Sequence, residues 1–556
     1  MLVARPVDPS LPLVERLYAA RHASVGERDV SLGRLLPPDQ LPDIDRAAER
    51  IARAVQADER MVVVGDFDAD GATAVAVSLL LLQGFGATRV SYLVPDRFRF
   101  GYGLSPEIAA LAVADQPGLL ITVDNGVSSI DGVRVANAAG VDVIVTDHHL
   151  PAAELPAACA VVNPVLAGST FASPALAGVG VVYYTLARVR QVLRGAGWFE
   201  NRVEPNVAAV LDLVALGTVA DVVPLDFNNR VLVAQGLKRI RAGRCRPGIL
   251  ALLSVARRDH RRLTAEDLGF AVGPRLNAAG RLDDMSVGIQ CLLAADQEAA
   301  HALTLKLDAL NRERRDLQAS MVATAEQHAA IVTADPDVVG VCVYEPDWHQ
   351  GVVGLVAGKL KEKLHKPVIA FARTDAGSSQ LKGSARSIPG LHIRDVLDSI
   401  AARRPGLIKR FGGHAMAAGL EIDERFLKTF ANAFDTAVRA VATEEQLTRV
   451  LLTDGSLTAQ ERNLEVAREL RDAGPWGQGF PEPLFTGEFE VISQRVVGTG
   501  HLKLLLGSDD QVLDAIAFNQ EPVAGKRVLA AYRLSENAYQ GQTTLQLMVE
   551  HLSSLP

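Results

Sequence analysis

The chain has 556 residues, 48% of them hydrophobic and 22% charged, with a formal net charge of −8. That length is too great for one compact core and predicts roughly three to four domains, and the longest apolar runs, such as Val75 to Leu82, are too short to cross a bilayer. The negative total argues against indiscriminate coating of nucleic acid, but leaves room for a local basic groove.

Cys159, Cys245, Cys291 and Cys342 follow neither zinc spacing nor a disulfide pattern, and read as reduced thiols of a cytoplasmic protein. No basic segment leads into an apolar one at the start, so no signal peptide is expected.

Residues 1–45 are punctuated by Pro6, Pro9, Pro12, Pro37, Pro38 and Pro42 and predict an N-terminal arm. From residue 46 a regular βαβ alternation begins. A strand ending at Val64 is followed by Asp66-Phe67-Asp68-Ala69-Asp70-Gly71, and Gly71 opens an apolar helix running to about Gln83. Val90–Val94 is a second strand, and Ser105-Pro106 is a helix start signal. Leu119–Val123 ends in Asp124-Asn125-Gly126, and Val143–Thr146 ends in Asp147-His148-His149. Such alternation implies a parallel sheet with right-handed crossovers.

Residues 171–294 read as mainly helical and carry Asp221 after an apolar stretch. Residues 298–330 place Leu303, Leu307, Leu310 and Leu317 at helical spacing and predict a long connecting helix. A second α/β unit is expected over 331–447, and the alternating, glycine-punctuated block 448–556 predicts a small β-barrel. The first α/β domain then spans 46–297.

A single aspartate at a strand end commonly caps the next helix. Three strands of one series ending in hard oxygen or imidazole donors point instead to a divalent-metal site, and that donor set suits Mn²⁺ or Mg²⁺. Phosphate recognition needs cations and approachable backbone N–H groups. Arg386 beside Ser384 and Ser387 is one candidate. Gly412-Gly413-His414, read as small residues preceding an apolar helix, is another. Arg275, Asn277 and Arg281 lie in what reads as a Gly-Pro-bounded loop, and His349-Gln350-Gly351 stands at a strand-to-helix junction.

The ordered set Asp66-Phe67-Asp68-Ala69-Asp70-Gly71, Asp124-Asn125-Gly126, Asp147-His148-His149 and Asp221 resembles the DHH phosphoesterase superfamily. Gly273–Arg281, Gly383–Ser387 and Gly412–Gly419 are similar to the corresponding stretches of the RecJ exonucleases. The resemblance implies a parallel-sheet DHH domain, a long helix, a DHH-associated domain and an OB-like barrel. It further implies 5′-to-3′ hydrolysis of single-stranded DNA to mononucleotides in repair and recombination, assisted by two Mn²⁺ or Mg²⁺ ions.

On that resemblance Asp68, Asp124, His148 and Asp221 form one metal shell, Asp124 bridges to a second ion, and Asp66 belongs to the second. Many relatives place a histidine where this chain has Val64. His149 contacts the scissile phosphate, while Asp147 and Asp70 act as supporting groups. Arg275, Asn277, Arg281, His349, Gln350, Ser384, Arg386, Ser387, Gly412, Gly413 and His414 are expected at the DNA.

A single-strand-binding protein and a RecQ-type helicase are the implied partners, and no membrane is involved. The barrel's aromatics, Phe489, Phe518, Tyr532 and Tyr539, must serve both core and strand. A hydrolase of short oligonucleotides, cyclic dinucleotides or pyrophosphate, a non-catalytic scaffold and a plain strand-binding module are the competing readings. Length, the retained acids and the α/β units weigh against them in turn.

Overall fold

The computed structural model describes residues 1–375, 377–498, 500–539 and 541–556, Tyr539 by its backbone alone, so the part expected of its side chain lies outside the described residues. The chain divides into two compact units: residues 2–308 with 452–556, and Met1 with 309–451.

The first unit is built on a five-stranded parallel sheet. Its strands are β1 (Met61–Val64), β2 (Val90–Leu93), β3 (Leu119–Val123), β4 (Asp142–Thr146) and β5 (Ala160–Val162), in the order β2-β1-β3-β4-β5. The valine-rich stretches form central strands because a sheet covered on both faces rewards continuous β-branched burial over alternation. Every residue of β1 and β3 is buried.

Helix α1 (Ile44–Gln56) precedes β1, and α2 (Ala69–Gly84) follows it. Helix α2 starts two residues before the expected Gly71. Asp68 takes the N-cap position and its carboxylate accepts the Gly71 N–H at 3.0 Å, which satisfies one of the orphan donors of the first turn. Two further buried helices, α3 (Gly178–Gly195) and α4 (Leu211–Ala220), pack on α2.

The expected loop at Gly273–Arg281 is a helix, α5 (Gly273–Leu282), continuing from a π-helical turn over Leu268–Val272. Glycine and proline there mark a helix start, with Pro274 in the first turn, where its missing N–H costs nothing. The connecting helix, α6 (Gln297–Val332), holds as expected, and the division between the two units falls within it.

In the second unit β6 (Val341–Tyr344), β7 (Val368–Arg373), β8 (Gln380–Arg386), β9 (Arg410–Gly413) and β10 (Ala417–Asp423) form a mixed sheet ordered β9-β10-β8-β7-β6. Helix α7 (Val353–Leu364) joins the parallel pair β6 and β7. The segment after His414 was expected to be an apolar helix; it is strand β10. Its burial alternates residue by residue from Ala417 to Asp423, the period of a half-buried strand.

The C-terminal block is a closed five-stranded barrel of β11 (Phe485–Val497), β12 (His501–Ser508), β13 (Gln511–Ala517), β14 (Arg527–Tyr539) and β15 (Gln542–Ser554). Phe485, Phe489 and Tyr532 fill its core, whereas Phe518 is half exposed and meets His501 edge-on at 4.9 Å. Among the described residues no helix is long and apolar enough to cross a membrane.

The N-terminal arm belongs to this unit. Leu17, on the short helix Leu13–Ala19, lies in the barrel's core cluster. Arg21 makes a two-pronged bond to Asp454 at 2.9 Å, and the Leu484 N–H adds a third donor to that carboxylate. Both Arg21 and Asp454 are buried, so removing one leaves an uncompensated charge in the interior. Asp454→Ala should therefore destabilise the first unit by roughly 3–5 kcal/mol, read as a lowered urea midpoint in the unfolding transition.

Candidate active site

Parallel pairing sets Val64 beside Leu93 and Thr122, Val123 beside Thr146, and Thr146 beside Val162. The chains leaving β1, β3 and β4 therefore emerge side by side at the carboxyl edge of the sheet, where open α/β folds carry their sites. Three groups of donors converge there: Asp66, Asp68 and Asp124; Asp124, His148 and His149; Asp70, His148 and Asp221. Within each group the donor atoms lie within 4.8 Å of one another. His148 Nε2 stands 3.1 Å from Asp124 Oδ1 and 3.6 Å from Asp221 Oδ2.

The electrostatics are those of a cluster awaiting positive charge. Burial, followed by mutual repulsion, pushes the carboxyls of Asp66, Asp70 and Asp124 well above the usual carboxylate range. Burial and the charge of Asp68 carry Asp221 up to about 7. Asp221 also caps the C-terminal end of α4, the end at which a helix disfavours an anion. Asp66 Oδ1 is buried and accepts no hydrogen bond among the described residues. A hard divalent cation answers each of these features, and the carboxylate and imidazole donors fit one.

Asp70 and Asp147 have other work. The Asp70 oxygens accept the Gly178 and Val179 N–H groups at 2.6 and 3.0 Å, the start of α3. Asp147 accepts the N–H groups of Val127, His148 and His149, and lies 2.7 Å from His149 Nδ1. Burial alone would raise the Asp147 carboxyl, but the His149 bond and charge hold it below its ordinary value. Burial would lower His149, but Asp147 outweighs it and carries the imidazole up to about 9.

Asn277 Oδ1 accepts the Ala69 N–H at 2.8 Å, so α5 reaches directly onto the acidic loop. Val64 turns into the hydrophobic core with Leu120 and Val145, and supplies no donor at this edge.

In the second unit Gly412, Gly419 and Ser384 lie in register across β9, β10 and β8. A Cβ built on Gly412 or Gly419 meets nothing within 4 Å, so the strand backbone is open to approach there. Gly413, with φ +144°, is required by the fold, since a Cβ would fall 2.4 Å from Ala418 Cα. Arg386 Nη1 donates to Ser384 Oγ at 3.0 Å, which sets a guanidinium beside the glycine strip. Gln350 donates to the Thr374 carbonyl, and His349 Nδ1 accepts the Gly351 N–H. Ser387 is fully buried and donates to the Leu391 carbonyl at 2.6 Å. His414 opens the turn between β9 and β10.

Models of three families match the chain: the DHH family N-terminal domain over residues 60–218, the DHHA1 domain over 336–442 and the RecJ OB domain over 453–551. The single-stranded-DNA-specific exonuclease RecJ of Dickeya dadantii is 50% identical over 98% of this chain and 96% of its own length. That of Escherichia coli is 49% identical over 97% and 96%. The chain belongs to the RecJ family. Its fold matches the crystal structure of RecJ in complex with Mn²⁺ from Thermus thermophilus, with a TM-score of 0.81 at 29% identity, over all of this chain and 79% of that one.

Several contributors to this RecJ-family site escaped the sequence reading. Tyr102 donates to the Asp124 carbonyl at 2.9 Å. Arg97 lies 4.4 Å over the Phe67 ring, and its charge bears on Asp66 and Asp68. The dipeptide Phe-Arg, repeated in Phe98-Arg99-Phe100-Gly101-Tyr102-Gly103, was the available signal. Arg275, expected at DNA, pairs with Asp308 at 2.9 Å and with the Ala271 carbonyl, while Arg281 lies half-buried at the end of α5.

Gly178 is a further such residue: a Cβ there would fall 2.5 Å from Asp124 Cβ and 2.6 Å from its Oδ1. Gly178→Ala should push Asp124 out of place and weaken Mn²⁺ affinity by about 10–100-fold, measured by isothermal titration on folded protein.

Proposed function

We propose that this chain is a cytoplasmic 5′-to-3′ exonuclease that hydrolyses single-stranded DNA to 5′-mononucleotides with two divalent cations, in DNA repair and recombination. The observation that carries the reading is the convergence of Asp66, Asp68, Asp124, His148 and Asp221 at one sheet edge in a chain of the RecJ family. Asp68, Asp124, His148 and Asp221 hold one Mn²⁺ or Mg²⁺, and Asp66, Asp68 and Asp124 the other. Bound cations supply Lewis acidity and the positive charge that phosphodiester hydrolysis demands.

The side chains do the rest. His149, oriented by Asp147, contacts the scissile phosphate. Asn277 and Asp68 fix the start of α2 and with it the acidic loop. Arg386 and Ser384 beside the glycine strip grip phosphate oxygens, the guanidinium through two N–H groups at once. His349, Gln350, Gly412, Gly413 and His414 complete that surface, and Arg275 and Arg281 add positive charge on α5. Phe518 offers the barrel an exposed ring on which a base can stack. A single-strand-binding protein and a RecQ-type helicase deliver the strand, a reading that rests on family resemblance.

An oligonucleotide labelled at its 5′ end should release labelled mononucleotide from the first time points with Mn²⁺ or Mg²⁺. A 3′-labelled strand should shorten progressively and release its label last. Chelator or Asp68→Ala should abolish release while strand binding persists; early release from the 3′ end would reverse the polarity.

Gly412→Val places a branched side chain over the open strip. It should raise KM for the strand severalfold with little change in kcat, the pattern of lost uniform binding, in steady-state assays of the same substrate.

A further inference from the structure

We propose that Tyr102 is a positioning residue for this reaction: its hydroxyl fixes which nitrogen of His149 faces the substrate, and ties that ring to the backbone of Asp124. The inference rests on the reading of His149 as a phosphate contact. A tyrosine hydroxyl carries one proton. The Tyr102 oxygen lies 2.9 Å from the Asp124 carbonyl, which can only accept, so the proton is committed there.

The same oxygen is 2.9 Å from His149 Nδ1, and toward that ring it must therefore accept. Its distance to Nε2 is 3.4 Å, so Nδ1 is the nitrogen it engages. Asp147 Oδ1, already the acceptor of the His148 and His149 N–H groups, lies 2.7 Å from Nδ1 as well. Two acceptors on one nitrogen require that Nδ1 carry the hydrogen. Nε2 is left as the nitrogen presented to the phosphate.

The other end of the bracket matters equally. Asp124 has φ +62°, a left-handed backbone that a non-glycine residue adopts at a cost. The Tyr102 bond holds its carbonyl in that conformation, so one hydroxyl orients both a cation-holding carboxylate and the phosphate-facing ring. The ring of Tyr102 is itself placed, edge-on to His149 at 5.4 Å and to Phe67 at 6.3 Å. Gly101 and Gly103, with φ +77° and +78°, let the chain turn on either side of it.

Tyr102→Phe keeps the ring packing and removes only the oxygen. Steady-state kinetics on single-stranded oligonucleotide with Mn²⁺, for Tyr102→Phe, His149→Ala and the double variant, separate the possibilities. Tyr102→Phe should lower kcat about tenfold, the worth of roughly one hydrogen bond, with KM within about twofold and the melting temperature unchanged.

In the His149→Ala background the same change should lower kcat by much less, because most of its effect passes through that ring. Wild-type kcat in Tyr102→Phe, or an equal loss in both backgrounds, would overturn the proposal. Wild-type activity in His149→Ala would instead overturn the underlying reading of that histidine.

Discussion

Carboxylates buried against one another at a sheet edge are the constraint on which the rest of this structure depends. Two full negative charges 4.8 Å apart repel by about 3.5 kcal/mol at an effective dielectric of about 20. A typical backbone hydrogen bond returns about 1 kcal/mol, so N–H donors alone do not balance several such pairs. The fold places donors where they are most effective nonetheless. Asp70 meets the positive end of α3, Asp68 caps α2, and Asp147 collects three N–H groups. These bonds orient the acids and leave the net repulsion standing, and a divalent cation is the one addition that turns it into attraction for every member at once.

The remaining strain is concentrated where the acids are most exposed to one another. Asp124 and Val222 are both left-handed, the second a β-branched residue immediately after Asp221. Asp221 stands at the wrong end of a helix for an anion. Rigid neighbours hold these conformations: Gly178 and Gly280 lie so close to Asp124 and to the Phe67 carbonyl that a Cβ on either would overlap them. The stability that tolerates this comes from elsewhere in the same unit, from the apolar layers around the sheet and from the arm that completes the barrel core.

Much of this was legible in the sequence because the chemistry and the periodicity coincide. Valine runs stopping at aspartates marked β1, β3 and β4 together with their donors, since a parallel register aligns strand ends without any tertiary information. The long helix and the barrel declared themselves by spacing. What escaped was set by chain reversal and not by pattern. Tyr102 reaches the site only because the loop after β2 folds back between two left-handed glycines. Gly178 matters for what approaches it, 54 residues after Asp124. The segment Gly273–Arg281 read as a loop because glycine and proline break helices in their interior yet start them at the first turn. The glycines at 412 and 413 misled in the other direction, toward a helix start, when they end a strand whose open backbone is its use.

Val64 then separates the two cation positions chemically. Its side chain adds to the core beside Leu120 and Val145, worth about 1.5–3 kcal/mol for a fully buried valine, and in return the Asp66, Asp68 and Asp124 group is all oxygen. The group around His148 has an imidazole. Oxygen donors suit Mg²⁺ and Mn²⁺ about equally, whereas imidazole leans toward Mn²⁺ and the later transition metals. The all-oxygen group is also the one on which the Arg97 charge bears, and a fixed cation there opposes a second one while it steadies the acids. The imidazole group is therefore the tighter and the first to fill, and the oxygen group fills best when the substrate's own phosphate oxygens add to Asp66, Asp68 and Asp124.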